Sequence, residues 1–290
     1  MKLTRSRAVL LMVAVTLMWS IAGVVTRQLE HARSFELTFW RSLFTALSLL
    51  VILPVWQGRQ VLGQVRSGGL MLWISGLCWC VMFTAFMVAL TLTTVANVLV
   101  TMSVGPFLTA MMARIFIGHR IPLRTWIAIL IAGVGIGFMY ADQVTGDQLT
   151  GTLVALCVPV ASAVNWTVAQ RSQSRGAQID LVPAVLVGAI LSVALTLPLA
   201  VPLQASAHDV SLLALLGLVQ LAIPCTLSVV CARVLKAPEI ALLATLEVIF
   251  GIALAWLGAG EVPSFTVLAG GALVLGALLV NEFISWRLRT

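Results

Sequence analysis

Glu247 sits near the middle of ALLATLEVIFGIALAW, residues 241–256, a stretch otherwise fit for hydrocarbon. A carboxylate at that depth costs roughly 3 kcal/mol or more, so it has to face a bundle interior or water, and it is first read as a functional residue. Three roles compete for it. It is a proton-coupling group, a partner for the ammonium of an amino acid or cationic drug, or a protonated structural glutamate bonded to a neighbouring helix. A second set recurs at comparable depth: Trp19 and Ser20, Asn97 and Thr101, Asn165 and Trp166, Gln220 and Pro224. Such side chains need internal partners in a bilayer, and Trp adds a flat face with one donor. They read equally as the aromatic walls and amide hooks of a central substrate cavity or as interhelical hydrogen bonds. Trp79, Phe83, Phe86 and Met87 repeat every three to four residues and share one helix face, which packing or lipid contact explains more often than a cavity does. Arg41 lies early in an apolar run and reads as an interfacial side chain that snorkels to headgroups or pairs with Glu36 or Glu30.

Other chemistry is absent from the sequence. There is no GxxxxGK[ST], hence no ATP-driven pump of the P-loop kind, and no HExxH or comparable metal set; His31, His119 and His208 fall in expected loops. The five cysteines have no zinc-site companions and read as small reduced hydrophobes. Gly133, Gly135 and Gly137 lack the preceding strand that a dinucleotide site needs. An intramembrane enzyme would need a nucleophile and base, or paired carboxylates, at one depth, and Glu247 has no such partner. The expectation is therefore no catalytic residue, no metal and no cofactor.

The elements that position these residues follow from hydropathy. With 61% hydrophobic residues, 9% charged and a mean hydropathy of +1.10, the chain reads as one integral membrane domain over 1–290. Ten spans are expected, at 8–26, 35–57, 69–91, 94–117, 122–141, 150–172, 180–202, 210–231, 237–258 and 264–286. The run after Lys2, Arg5 and Arg7 is read as the first span and not as a cleaved leader. On this segmentation fourteen of the seventeen cations fall at alternate ends, leaving Arg27, Arg33 and Arg41 on the other side, where Glu30, Glu36, Asp142, Asp147, Asp209 and Glu261 gather. The bias places both termini in the cytoplasm, with Glu282 and Trp286 at a cytoplasmic interfacial end. The net charge of +7 then speaks for topology and anionic headgroups, not nucleic acid.

Two halves echo each other. MWSIAGVVTRQL from Met18 pairs with NWTVAQRSQS from Asn165, and VANVLVTMSVGPFLTAMMARIFIGHR from Val95 matches APEIALLATLEVIFGIALAWLGAGEV from Ala237, setting Gly105 against Glu247 and His119 against Glu261. Repeats over 8–141 and 150–286 with five spans each would be inverted, the arrangement of secondary transporters whose site lies between the halves.

The Trp-Ser of span one, FWR at Phe39–Arg41, SVGPFLTAMMARIFIGHR and LEVIFGIALAWLGAGE together resemble the EamA-type branch of the drug/metabolite transporter superfamily, over essentially the whole chain. The resemblance implies ten helices in two inverted repeats, a site among helices one, three, four, six, eight and nine, and export of amino acids, aromatic ones included, or related metabolites. It also implies that helices five and ten pack together, for which the small-residue seams Gly133–Gly137 and Ala272–Gly276 are the expected contact. Two departures stand out. The usual Glu-Pro of span nine is Glu247-Val248, which removes a helix-bending Pro, and His119 replaces the glutamate that usually closes span four. The reading is an inner-membrane secondary transporter exporting small hydrophobic or aromatic amino acids or related amphipathic compounds, with the lipid bilayer and a small solute as partners and proton coupling through Glu247 in view. A lipid-linked sugar or drug carrier of the same superfamily is the alternative, and it would want a laterally open groove. The residues fix no oligomeric state.

Overall fold

The computed structural model describes residues 3–32, 34–58, 60–118, 122–140, 149–174, 180–260, 262 and 264–287. Lys2, Arg33, Arg59, His119, Arg120, Asp142, Asp147, Arg175, Glu261 and Arg289 lie outside them, as do the side chains of Arg66, Glu282, Trp286 and Arg287.

In hydrocarbon every backbone N–H and C=O must be satisfied within the chain, which leaves helices or closed barrels. All the regular structure among the described residues is helical. In order these are α1 (Arg5–Thr26), α2 (Ser34–Gln57), α3 (Gln60–Ser67), α4 (Gly69–Leu92), α5 (Val95–Met102), α6 (Gly105–Ile117), α7 (Leu123–Tyr140), α8 (Leu149–Ser174), α9 (Val182–Ala200), α10 (Ala207–Leu215), a π-helical segment (Leu216–Ala222), α11 (Ile223–Cys231), α12 (Ala237–Ala244), α13 (Leu246–Ala259) and α14 (Phe265–Arg287). Eight stretches are long and apolar enough to cross a membrane, three of them composite: α5 with α6, α10 through α11, and α12 with α13. They fall on eight of the expected spans. The other two expected spans coincide with α7 and α14, which pack along one another.

Two composite stretches break at matching places. At Ser103 the hydroxyl donates to the Val100 carbonyl. At Thr245 the hydroxyl donates to the Leu242 carbonyl at 2.6 Å. A side-chain hydroxyl on an i−3 carbonyl competes with the helical ladder and bends it. Span nine is thus interrupted without the proline whose loss argued against a kink. Both stretches then end on a left-handed glycine, Gly118 (φ 70°) and Gly260 (φ 68°), a conformation glycine adopts without steric cost.

The tightest crossings involve other glycines than those expected. A Cβ on Gly188 of α9 would lie 2.3 Å from the Trp79 Cβ and 2.9 Å from the Gly76 carbonyl oxygen of α4. A Cβ on Gly217 would meet the Phe44 Cβ and the Arg41 carbonyl of α2 at under 3 Å. By contrast Gly133, Gly137, Ala272 and Gly276 are exposed, and added Cβ atoms on the three glycines would meet nothing. Helices α7 and α14 pair, but the pairing does not depend on that small-residue seam.

Two buried carboxylates tie the ends of distant segments together. Glu36 Oε1 accepts from the backbone N–H of Gln204 and Ala205, both at 2.8 Å, and from Trp40 Nε1 at 3.3 Å. Asp209, whose box with Ser206 caps α10, accepts from Glu30, His31 and Ala32 N–H groups at 2.9–3.1 Å. Glu36 is therefore occupied by backbone and does not pair with Arg41. His208 lies in the first turn of α10 and is not in a loop. At the opposite end Arg5 pairs with Glu239 at 2.9 Å and Arg233 with Asp180 at 2.7 Å.

Replacing Gly188 by Ala should lower detergent-solubilised thermal stability by about 1–3 kcal/mol through overpacking against α4. Gly133→Ala should leave it unchanged or slightly raised; equal melting temperatures for both variants and the parent would overturn this placement of the close crossing.

Candidate functional site

The residues that the sequence singles out divide into two groups. Trp19 of α1, Trp79 and Phe83 of α4, Trp166 of α8, Gln220 of the π-helical segment and Glu247 of α13 line a single cavity of about 110 Å³. Ser20, Asn97, Thr101 and Asn165 do not line it; each bonds between or along helices, with Asn97 Oδ1 left buried and without a partner. The Ser20 hydroxyl donates to the carbonyls of Thr16 (2.7 Å) and Glu247 (3.2 Å). Asn97 Nδ2 donates to Thr93 and Thr152, Thr101 to the Asn97 carbonyl, and Asn165 Oδ1 accepts from Ser75 at 2.6 Å. Ser20, Asn97 and Asn165 thereby hold α1 to α13, α5 to α8 and α8 to α4, while the Thr101 bond to Asn97 lies within α5.

The walls themselves are built by aromatic contact and by the helix breaks. Trp79 and Trp166 meet edge to face, centroids 5.9 Å apart and planes at 88°, and Phe83 lies 5.6 Å from Trp79. Such pairs favour offset or T-shaped geometry because the ring edge is positive and the face negative. Ser103 and Gly105, at the α5–α6 break, line one side. Glu247 enters from the first turn of α13, immediately after the break at Thr245. Pro159 and Ser162 of α8 complete that region.

Arg41 is the residue whose place differs most from expectation. It is 1% exposed and lines the cavity; it does not reach the headgroups. Its Nη1 donates to Gln220 Oε1 at 3.2 Å and its Nη2 to the Phe83 carbonyl at 2.7 Å, and its guanidinium carbon sits 5.7 Å from the Phe86 ring centre. Gln220 in turn donates to the Trp19 carbonyl at 3.4 Å, so one amide joins α1, α2 and the π-helical segment. A signal was present. Arg41 lies seven residues into its helix, about 10 Å along the axis, deep for an anchor at the interface. Gln220 was available at comparable depth.

Among the described residues no cluster of His, Cys, Asp and Glu could hold a metal ion. All five cysteines are free thiols, four of them buried.

A multi-pass membrane protein, helical throughout its described residues, with a partly open amphipathic cavity among its helices is the class that fold and site define. Residues 6–141 match the sequence model of the EamA-like transporter family, a family of the drug/metabolite transporter superfamily, so this part of the chain is similar to a family of membrane transporters. A crystal structure 18% identical to the chain matches over 99% of this chain and 100% of its own, with a TM-score of 0.73, and at that identity the likeness is one of fold. No curated protein sequence matches the chain.

Asn165→Ala should destabilise the protein by about 1–3 kcal/mol, since Ser75 loses its buried acceptor, while leaving the transport KM unchanged. Trp166→Ala should raise KM at unchanged expression. A KM rise in Asn165→Ala as large as that of Trp166→Ala would overturn the division between wall and scaffold.

Proposed function

We propose that the chain crosses a bacterial-type inner membrane ten times, with both termini cytoplasmic, as two inverted five-helix repeats over 8–141 and 150–286, and that it exports a small amphipathic metabolite by alternating access. Supporting the repeats, Val95–Gly118 and Ala237–Gly260 share their break and their glycine cap in one register. The packing pairs also come in matching sets. Helix α4 packs on α8 as α1 does on the π-helical segment and α11, α6 packs on α8 as α13 does on α1, and α7 packs on α14. The orientation rests on the distribution of Lys and Arg.

The observation that carries the transport reading is the cavity itself, apolar on most of its walls, with five aromatic rings among them, yet bearing Glu247, Arg41 and Gln220. It is of a size for a small solute. With ~10–15 Å³ needed for a single water on this measure, about 110 Å³ holds on the order of ten heavy atoms, which is the scale of a hydrophobic amino acid. Trp19 and Trp166 stand as quasi-symmetric walls, and rocking of one repeat against the other would expose the site to each side in turn. Glu247 is the acidic residue of the lining, and it serves as the coupling group or as the partner of a substrate ammonium.

The test is efflux of labelled amino acids, nucleosides and cationic drugs from proteoliposomes, with and without a proton gradient, for the parent and Glu247→Gln. Saturable flux of a solute is expected in the parent, with that flux or its gradient response lost in the variant. Equal flux in both proteins would remove Glu247 from the site, and no saturable flux of any panel member would overturn the small-solute transport reading.

A further inference from the structure

Two residues bracket the cavity along its length. Leu99, the fifth residue of α5, and Ala241, the fifth of α12, both line it. Helix α5 packs on α13 and α6 on α12, so the two composite spans run antiparallel and these residues stand toward opposite ends of the molecule. They are also counterparts in the pairing that sets Gly105 against Glu247. Matched positions of this kind would close both ends alike if their residues were alike, and they are not.

At the end where α5 begins, the packing is interlocked. The Leu99 side chain fills the space over Gly251 of α13, where a Cβ would lie 2.5 Å from its Cδ1. Val24 of α1 fills the space over Gly258 in the same way, and Thr93 fills that over Gly151 of α8, where a Cβ would lie 2.9 Å away. Each of these side chains comes from the first half of the chain and each glycine from the second. Glu36 and Asp209, both buried, add their backbone clasps at this end. At the end where α12 begins, the counterparts of Leu99 and Gly251 are Ala241 and Thr109, a small side chain in place of a large one and a threonine in place of the glycine. The Thr109 hydroxyl is buried without a partner. The ion pair that ties the halves there, Arg5 with Glu239, has side chains 30% and 21% exposed. Solvated pairs hold weakly, whereas a buried carboxylate stripped of its N–H donors loses the full value of those bonds.

We infer that this structure is the form of the protein sealed at the Leu99 end, that Leu99 seated on Gly251 is the plug of that seal, and that the Ala241 end is the one that gives way to admit a solute. The inference rests on the transport reading above and adds the side from which the chamber is entered in this state. Widening the Leu99 end lifts three side chains out of close-packed notches and undoes both clasps. Widening the Ala241 end breaks a solvated ion pair and lets water reach the Thr109 hydroxyl. On the orientation proposed above, the sealed end is the outer one and the chamber loads from the cytoplasm, as export requires.

The reporter for the experiment is Met102→Cys, at a half-buried position in the cavity wall, in the full chain with its native cysteines kept and their reaction in the parent subtracted. A membrane-impermeant methanethiosulfonate is added to one face or the other of oriented vesicles, and Gln28→Cys, at an exposed position of the Leu99 end, marks which face is which. The reporter should react roughly tenfold or more slowly from the Leu99 face than from the Ala241 face. Adding Leu99→Ala should raise the Leu99-face rate about tenfold, and adding Ala241→Leu should lower the Ala241-face rate by a similar factor. Equal rates from both faces, a faster rate from the Leu99 face, or no reaction from either overturns the inference in the reporter alone, which covers the case of a Leu99 variant that fails to fold. A Leu99-face rate unmoved by Leu99→Ala in folded protein overturns the plug. If the asymmetry holds and no member of the efflux panel moves, the seal stands and the transport reading falls. If a solute moves and the two rates are equal, the seal falls and the transport reading stands.

Discussion

Inside a bilayer a polar atom has no water to fall back on, and this constraint decides where most hydroxyls, amides and charges of the chain come to rest. The cheapest solution is local. Thr26, Thr45, Thr101, Thr167, Thr196 and Thr226 each return their hydroxyl proton to the carbonyl four residues back on their own helix. Where that is not enough the bonds cross between helices, as in Ser42 with Ser192, Thr84 with Ser192 and Ser75 with Asn165. Buried atoms left without a partner are few among the described residues: Arg41 Nε and Trp79 Nε1 on cavity-lining side chains, and Glu36 Oε2, Asn97 Oδ1 and Thr109 Oγ1 away from it.

The two breaks show how a charge is made tolerable at such a depth. Interrupting the ninth span at Thr245 turns Glu247 into a first-turn residue of α13. The free N–H groups and partial positive charge of a helix start favour a carboxylate there. The partner break at Ser103 leads instead into Gly105 and Pro106, which line or flank the chamber without adding charge. One backbone device has thus been used twice, once to carry chemistry and once to leave room for it.

Much of this was legible in the residues and some was not, for identifiable reasons. Span lengths follow from hydrocarbon thickness, so eight stretches fall where hydropathy puts them. Trp19, Trp79, Phe83, Trp166, Gln220 and Glu247 share a cavity because large aromatics and lone polar groups at one depth have few other places to go. Ser20, Asn97, Thr101 and Asn165 carry the same signature but meet partners on neighbouring helices, and sequence does not encode which neighbour arrives. Arg41 was misread because distance along a helix says how deep a residue begins and not what its long side chain finds. Gly133 and Gly276 mark narrow helix faces, yet only packing decides that Gly76, Gly188 and Gly217 are the glycines in close contact. The break in span nine falls at a threonine and not at a proline, which a search for proline overlooks.

The carboxylates at the α2 and α10 ends give the molecule a further property. Glu36, from the first half of the chain, grips backbone of the second half at Gln204 and Ala205. Asp209, from the second half, grips backbone of the first at Glu30, His31 and Ala32. Each half is thereby both hook and eye. Prising the halves apart at this end strips five amide donors and two carboxylates of their partners in a single movement, so partial opening gains little relief and the face resists small displacements until both hooks let go. The fastening holds as a pair of clasps whose bonds are lost together, not one after another.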